Sequence, residues 1–166
     1  MQTILHVGCG VDPLPTWLDG FFETRLDINP AANPDIVASM LAMGEVGLYD
    51  AVLCQHALEH LYPHEVGLAL TEFLRVLKPG GTAFVIVPDL EGVTPTEDVL
   101  FTAAAGPITG LDLIYGFRPW LRDNPHMAHH TGFVSDTLRR SMLGAGFSAV
   151  HTKRAGDYNL VGVGVR

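Results

Sequence analysis

Charge is scarce in this 166-residue chain, and positive charge scarcer still. Only 17% of residues are charged, ten Lys and Arg against eighteen Asp and Glu, for a net charge of −8. Such a surface repels phosphate backbones, and no local cluster of basic residues offsets it, so nucleic acid is not an expected partner. Cysteine is nearly absent. Cys9 and Cys54 both sit in apolar surroundings at predicted strand ends, where a thiol packs as a small hydrophobe, and two such residues make no disulfide framework. No apolar run reaches the length of a membrane span, and the N-terminus lacks a basic leader region and cleavage signature. No membrane partner is expected, and the expected location is cytoplasmic. Repeats and low-complexity tracts are missing too. What is there is 48% hydrophobic residues, enough for one domain, 1–166, that buries ~68–70% of its unfolded surface.

Strand and helix patterns alternate along the chain. Ile4–Val7, Glu23–Ile28 and a short Asp35–Ala38 read as strands separated by Pro and Asn. Tyr49–Gln55 is almost continuously apolar, as in a strand buried on both faces. Val66, Leu70, Phe73, Leu74 and Leu77 recur at helical spacing, and Pro79-Gly80-Gly81 is expected to stop that helix after Lys78. Thr82–Val87 reads as a fifth strand. Ser135 is placed as the cap of a helix from Asp136 to about Leu143, closed by Gly144 and Gly146, before final strands at Ser148–Lys153 and Asn159–Val165. This alternation predicts an α/β fold with a mostly parallel sheet covered on both faces. Two irregularities stand out. Pro13, Pro15 and Gly20 leave room for little more than two turns of helix between the first two strands. The long segment 89–131, with four prolines and many His, Tyr, Phe and Trp residues, reads as a functional or substrate-covering element.

The loop after the first strand carries the strongest chemical signal. Ile4, Leu5 and Val7 lead into Gly8-Cys9-Gly10, and the second strand ends on Asp27, seventeen positions after Gly10. Glycines at the carboxyl edge of a parallel sheet let backbone N–H groups approach a ligand, and an acidic residue closing the next strand can accept two ribose hydroxyls. A bare Gly-Xaa-Gly is also an ordinary turn. The third glycine of a dinucleotide fingerprint is missing, with Asp12-Pro13 in its place, which disfavours a nucleotide-dependent oxidoreductase.

Taken in order, Ile4-Leu5-His6-Val7-Gly8-Cys9-Gly10, Arg25-Leu26-Asp27-Ile28-Asn29, Tyr49-Asp50-Ala51-Val52, Ala57-Leu58-Glu59-His60-Leu61 and Phe73-Leu74-Arg75-Val76-Leu77-Lys78-Pro79-Gly80-Gly81 resemble the motifs of class I S-adenosylmethionine-dependent methyltransferases, most closely the small bacterial type 11 group. The likeness covers residues 3 to about 90 and resumes at His130–Phe147. It implies a Rossmann-like, doubly wound sheet of seven strands in the order 3-2-1-4-5-7-6, the last antiparallel, with S-adenosylmethionine as cofactor. The implied reaction is methyl transfer to O or N of a small molecule or conjugate. The resemblance puts Gly8, Cys9 and Gly10 against the methionine end of the cofactor and Asp27 with Ile28 on its ribose side. It puts Ser39 and Met40 at the adenine, and Gln55 and His56 beside the sulfonium. His6 departs from the family pattern, where an acidic residue is common, and Ser39 stands where an aspartate often reads the adenine amine.

Outside the cofactor motifs, His residues dominate. Glu59 and His60 can stand over the transferred methyl group or satisfy loop backbone. His129, His60 and Asp89 are the candidate catalytic residues, His129 foremost as general base. Tyr115, Arg118, His126 and His130 are candidates for the substrate wall. No metal site is assigned, although His126, His129 and His130, with Glu59, His60 or Asp89 completing a shell, offer a metal-assisted alternative. A non-catalytic binding module on the same fold is the other alternative. The sequence leaves the oligomeric state open, a homodimer included.

Overall fold

A computed structural model describes residues 1–166. In chain order the strands are β1 (Gln2–Val7), β2 (Phe21–Asp27), β3 (Ile36–Val37), β4 (Tyr49–Gln55), β5 (Leu77–Pro88), β6 (Val99–Ala103), β7 (Gly106–Thr109), β8 (Ala149–Ala155) and β9 (Asn159–Val165). The helices are α1 (Pro63–Arg75), α2 (Gly110–Tyr115), α3 (Arg118–Leu121) and α4 (Ser135–Ala145). Seven strands form one sheet in the order β3-β2-β1-β4-β5-β9-β8, and β6 pairs only with β7. β9 runs antiparallel to its neighbours β5 and β8, while the other pairings are parallel. With the β6–β7 hairpin set aside, this is the expected 3-2-1-4-5-7-6 order of a Rossmann-like methyltransferase fold.

The pleat sorts the apolar residues onto two faces. Leu5, Val7, Val52, Cys54, Val85 and Val87 pack with Leu70 and Phe73 of α1 and Leu138 and Met142 of α4. Each of these large side chains is sealed from solvent and contributes ~1.5–3 kcal/mol through burial. The opposite face carries only a small cluster of Ile4, Ala51, Leu53 and Ile86 beneath Leu18. The helix expected to be short between β1 and β2 shrinks to one 3₁₀ turn, Thr16–Leu18, flanked by Pro15, a residue that has no N–H to offer a longer helix.

Local punctuation misplaces several boundaries. α1 starts at Pro63, and the Glu65 carboxylate accepts from Tyr62 N at 2.9 Å. It ends at Arg75, not Lys78, because Val76 O accepts from Tyr49 N and the following residues turn into sheet. Pro79-Gly80-Gly81 lies inside β5, paired to the last residue through Gly80 N to Arg166 O (3.2 Å) and Arg166 N to Gly81 O (3.0 Å). Ser135 is the first residue of α4 and does not cap it; its hydroxyl meets Thr152 Oγ1 at 2.7 Å, and Thr137 Oγ1 accepts from Val134 N instead. Gly146, in the left-handed region at φ 109°, closes α4, and Gly144 is helical. Both cysteines are buried free thiols.

Segment 89–131 is more structured than its sequence suggests. The β6–β7 hairpin, α2 and α3 are tied together by Arg118, whose Nε donates to Asp112 Oδ1 at 2.9 Å and whose terminal nitrogens reach Glu97 at 3.1 and 2.8 Å. Asp112 is only 5% exposed. Burial alone would raise its pKa, but hydrogen bonds from Thr109 and Arg118 outweigh that and hold it at about 2. A carboxyl depressed in the folded state adds stability above its unfolded pKa and loses it as pH falls from about 4 towards 2. Asp112 should therefore account for on the order of 2 kcal/mol of acid destabilisation. Denaturant unfolding at pH 5 and pH 2 should show that Asp112→Asn loses markedly less stability over this interval than the unmodified chain; equal losses would contradict the linkage.

Candidate functional site

Two adjoining features mark the carboxyl edge of the sheet. The first is the loop after β1. Gly8 N and Cys9 N donate to Leu26 O at 2.8 and 3.2 Å, so the loop bends over β2. Gly8 has φ +65°, and a Cβ there would lie 2.5 Å from that of Ala57, which is why no other residue lets this loop touch the turn after β4. Gly10 faces open space, with no atom within 4 Å of where a Cβ would sit. Its N–H donates to Asp27 Oδ2 at 2.8 Å, while Asp27 Oδ1 accepts from Asn29 N at 2.8 Å. The half-buried carboxylate thus stands at the rim of an open, glycine-lined cleft.

Behind the cleft, His6 is buried and pairs through Nδ1 with Glu23 Oε1 at 2.7 Å. Arg25 donates to Gly10 O and Asp12 O, both at 2.8 Å, and so stiffens the loop from outside. His6, the departure from the family pattern, is thus held by a carboxylate from the neighbouring strand. Met40 reaches towards Gly8, and Ser39 Oγ accepts from Leu41 N at 3.2 Å. Ile28 is largely exposed. Gln55 ends β4, and His56 follows with φ +49°, its N–H held by Ile86 O at 2.8 Å.

The second feature is a cavity of about 400 Å³ beside this cleft, within the range of small-molecule sites. His56, Glu59 and His60 enter it from the turn after β4, His129 and Met127 from the end of the 89–131 segment. Phe101, Ile108, Leu113, Phe117 and Trp120 supply apolar walls, and Asp157, Tyr158 and Asn159 of the β8–β9 turn close it. Tyr158 stacks on Phe101 with ring centres 5.8 Å apart. His56, Asp157 and Tyr158 all adopt positive φ; such strain in non-glycine residues collects at functional sites.

Glu59 is the buried centre of this wall. Its carbonyl accepts from His130 N and Thr131 N, its Oε1 lies 3.5 Å from His56 Nδ1, and its Oε2 has no partner. His60 Nδ1 bonds Ala128 O at 3.2 Å and His129 Nδ1 bonds Leu113 O at 2.9 Å, with the two rings 5.2 Å apart. Because carbonyls only accept, each Nδ1 carries a proton and donates it, which leaves Nε2 as the nitrogen with the lone pair in the neutral ring. Burial pushes the His129 pKa down, and Glu59 and the Leu113 carbonyl offset this only in part. His56 also loses to burial, but the Glu59 carboxylate outweighs it and raises that pKa. Burial would raise the pKa of Glu59, and the surrounding imidazoles, His56 above all, bring it below its ordinary value. At neutral pH the cavity therefore presents a carboxylate and an uncharged His129.

Other sequence candidates lie elsewhere. Asp89 does not line the cavity; it is buried in an ion pair with Arg154 Nε, and its Oδ1 accepts from Glu91 N at 3.0 Å. Arg118 is taken up by Asp112 and Glu97. Tyr115 is 54% exposed, and only its carbonyl, accepting from His129 N, serves the site. His126 is exposed, and His130 stacks outside on Tyr62 with centres 4.3 Å apart. The His126, His129 and His130 side chains do not form one cluster; His129 joins Glu59 and His60. Sequence reading missed the β8–β9 turn altogether, where Asp157 and Asn159 between two strand candidates signalled only a turn.

A family model described as a methyltransferase domain matches residues 5–85, which hold β1 to most of β5 and the whole glycine loop. That half of the chain is thus similar to a methyltransferase domain. Solved structures, two of them methyltransferases, share its fold. The Burkholderia thailandensis 1,6-didemethyltoxoflavin-N1-methyltransferase, bound to 1,6-didemethyltoxoflavin and S-adenosylhomocysteine, is 16% identical; the match covers 99% of this chain and 71% of that one at a TM-score of 0.66. Human N-acetylserotonin methyltransferase in complex with S-adenosylmethionine is 14% identical, with 99% and 47% covered and a TM-score of 0.70. A Pyrococcus horikoshii protein is 15% identical, with 99% and 81% covered and a TM-score of 0.68. The chain thus spans about half the length of the human enzyme. A search of proteins of curated function returned no match. No helix is long and apolar enough to cross a membrane.

Proposed function

We propose that residues 1–166 act as one domain that transfers a methyl group from S-adenosylmethionine to an oxygen or nitrogen of a small molecule or conjugate seated in the cavity. The observation that carries this reading is the junction of an open glycine-lined cleft, rimmed by the Asp27 carboxylate, with an apolar cavity walled by His56, Glu59, His60 and His129. The cleft fits the cofactor: a Cβ at Gly10 would fill space that is open, and Asp27 keeps lone pairs for ribose hydroxyls. Gly8, Cys9 and Gly10 would face the methionine part, Ile28, Ser39 and Met40 the adenosine, and Gln55 and His56 the sulfonium. When bound, S-adenosylmethionine supplies an electrophilic methyl carbon, whose bond to sulfur breaks as the bond to the acceptor forms.

The chain's own work is orientation and proton removal. The 89–131 segment covers the acceptor and excludes water, and His129, uncharged at neutral pH, takes the acceptor proton on Nε2. Negative net charge disfavours nucleic acid as the acceptor. Two buried free thiols suit a reducing, cytoplasmic setting.

Thermal unfolding with S-adenosylmethionine, S-adenosylhomocysteine and NAD side by side tests the proposal. A ligand at about 100 times its Kd adds ~2.7 kcal/mol, which raises Tm by roughly 5–10 °C for a domain of this size. Both sulfur compounds should stabilise and NAD should not. Stabilisation by NAD alone would overturn the reading, and S-adenosylhomocysteine binding without turnover on any acceptor would favour a binding module.

A further inference from the structure

One group in the acceptor cavity lacks a partner. Glu59 is 2% exposed, and its Oε2 is bonded to nothing. A buried carboxylate oxygen left unpaired is costly, and native proteins rarely leave one without an ion, a proton or water against it. Beside it stand two imidazoles with matching chemistry. Ligand atoms of Glu59, His60 and His129, one from each, all lie within 4.8 Å of one another. Both imidazoles donate Nδ1–H to main-chain carbonyls, of Ala128 and Leu113. That is how metal-bound histidines are held, the outer hydrogen bond fixing the tautomer and aiming the free nitrogen.

We infer that Glu59, His60 and His129 form a binding site for a divalent transition-metal cation, such as zinc or manganese. Two imidazole nitrogens and a carboxylate are a three-ligand set of the kind that leaves coordination positions open. All three residues line the cavity, so the open positions face the acceptor. Resting on the methyl-transfer reading, the site selects acceptors that offer an oxygen to the cation. The lone pair of His129 would then serve the cation, and ligation of the acceptor oxygen would ease the loss of its proton to water. The set differs from His126, His129 and His130 because only His129 of that run turns inward; Glu59 and His60 come from the turn after β4.

The test uses the full chain, stripped with a chelator and desalted, then titrated calorimetrically with zinc(II) and, in parallel, manganese(II). One equivalent should bind. His60→Ala, His129→Ala and Glu59→Gln should each weaken binding at least tenfold, whereas His126→Ala and His130→Ala should match the unmodified chain. Glu59→Gln alters a buried group, so His129→Ala carries the result if the former does not fold. No stoichiometric binding of either cation, or equal binding by all variants, overturns the site. S-adenosylhomocysteine affinity is measured on the same samples. Its retention without cation binding removes only the metal site, and cation binding without it removes only the methyl-transfer reading.

Discussion

His129→Ala should lower methyl-transfer turnover by ~10²-fold or more on an acceptor found by screening, while S-adenosylhomocysteine affinity stays unchanged. The imidazole is anchored on Leu113 O and borders the acceptor cavity, not the glycine cleft. Its removal takes away either a neutral proton acceptor or a cation ligand, and both act on the acceptor side of the transferred methyl. Steady-state kinetics should place the loss in kcat more than in cofactor KM. His64→Ala, at the exposed start of α1, is the control and should behave as the unmodified chain. Full activity in His129→Ala would remove it from the chemistry and leave His60 or water to take the proton.

Asp27→Ala should weaken S-adenosylhomocysteine binding by ~10²-fold or more with the fold retained. A charged acceptor contributes ~1.5–3 kcal/mol per hydrogen bond, and the proposed function gives Asp27 two ribose hydroxyls. It also holds Gly10 N and Asn29 N at 2.8 Å each, so its loss loosens the loop that must meet the ligand. Asp27 lies at the half-buried end of β2, outside the apolar core, which is why the sheet should survive. Asp27→Asn keeps one acceptor oxygen and should fall between the two. Calorimetry that finds unchanged affinity in Asp27→Ala would remove the ribose assignment.

The sequence by itself determined the sheet and the meeting of the glycine loop with Asp27. β4 and β9 run between the residues their apolar patterns indicated, and the strand order is the one the family resemblance implied. Gly8-Cys9-Gly10 and Asp27 meet because one strand and its neighbour are parallel and adjacent, a relation fixed by short connections. These are local or nearest-neighbour features, and local chemistry writes them directly into residue type and spacing.

Tertiary structure alone decided the acceptor side. Pro79-Gly80-Gly81 looks like a helix stop and instead extends β5, because the distant Arg166 pairs with Gly80 and Gly81. Asp89 and Arg118 look like site residues, yet Arg154 claims the first, and Asp112 with Glu97 claims the second. Conversely, Glu59, His60 and His129 converge across about seventy positions of sequence, and Tyr158 closes their cavity from a turn that carried no motif. Which polar side chain finds an ion-pair partner and which is left facing a cavity depends on contacts between elements far apart in the chain. Hydrophobic period and turn chemistry do not encode those contacts.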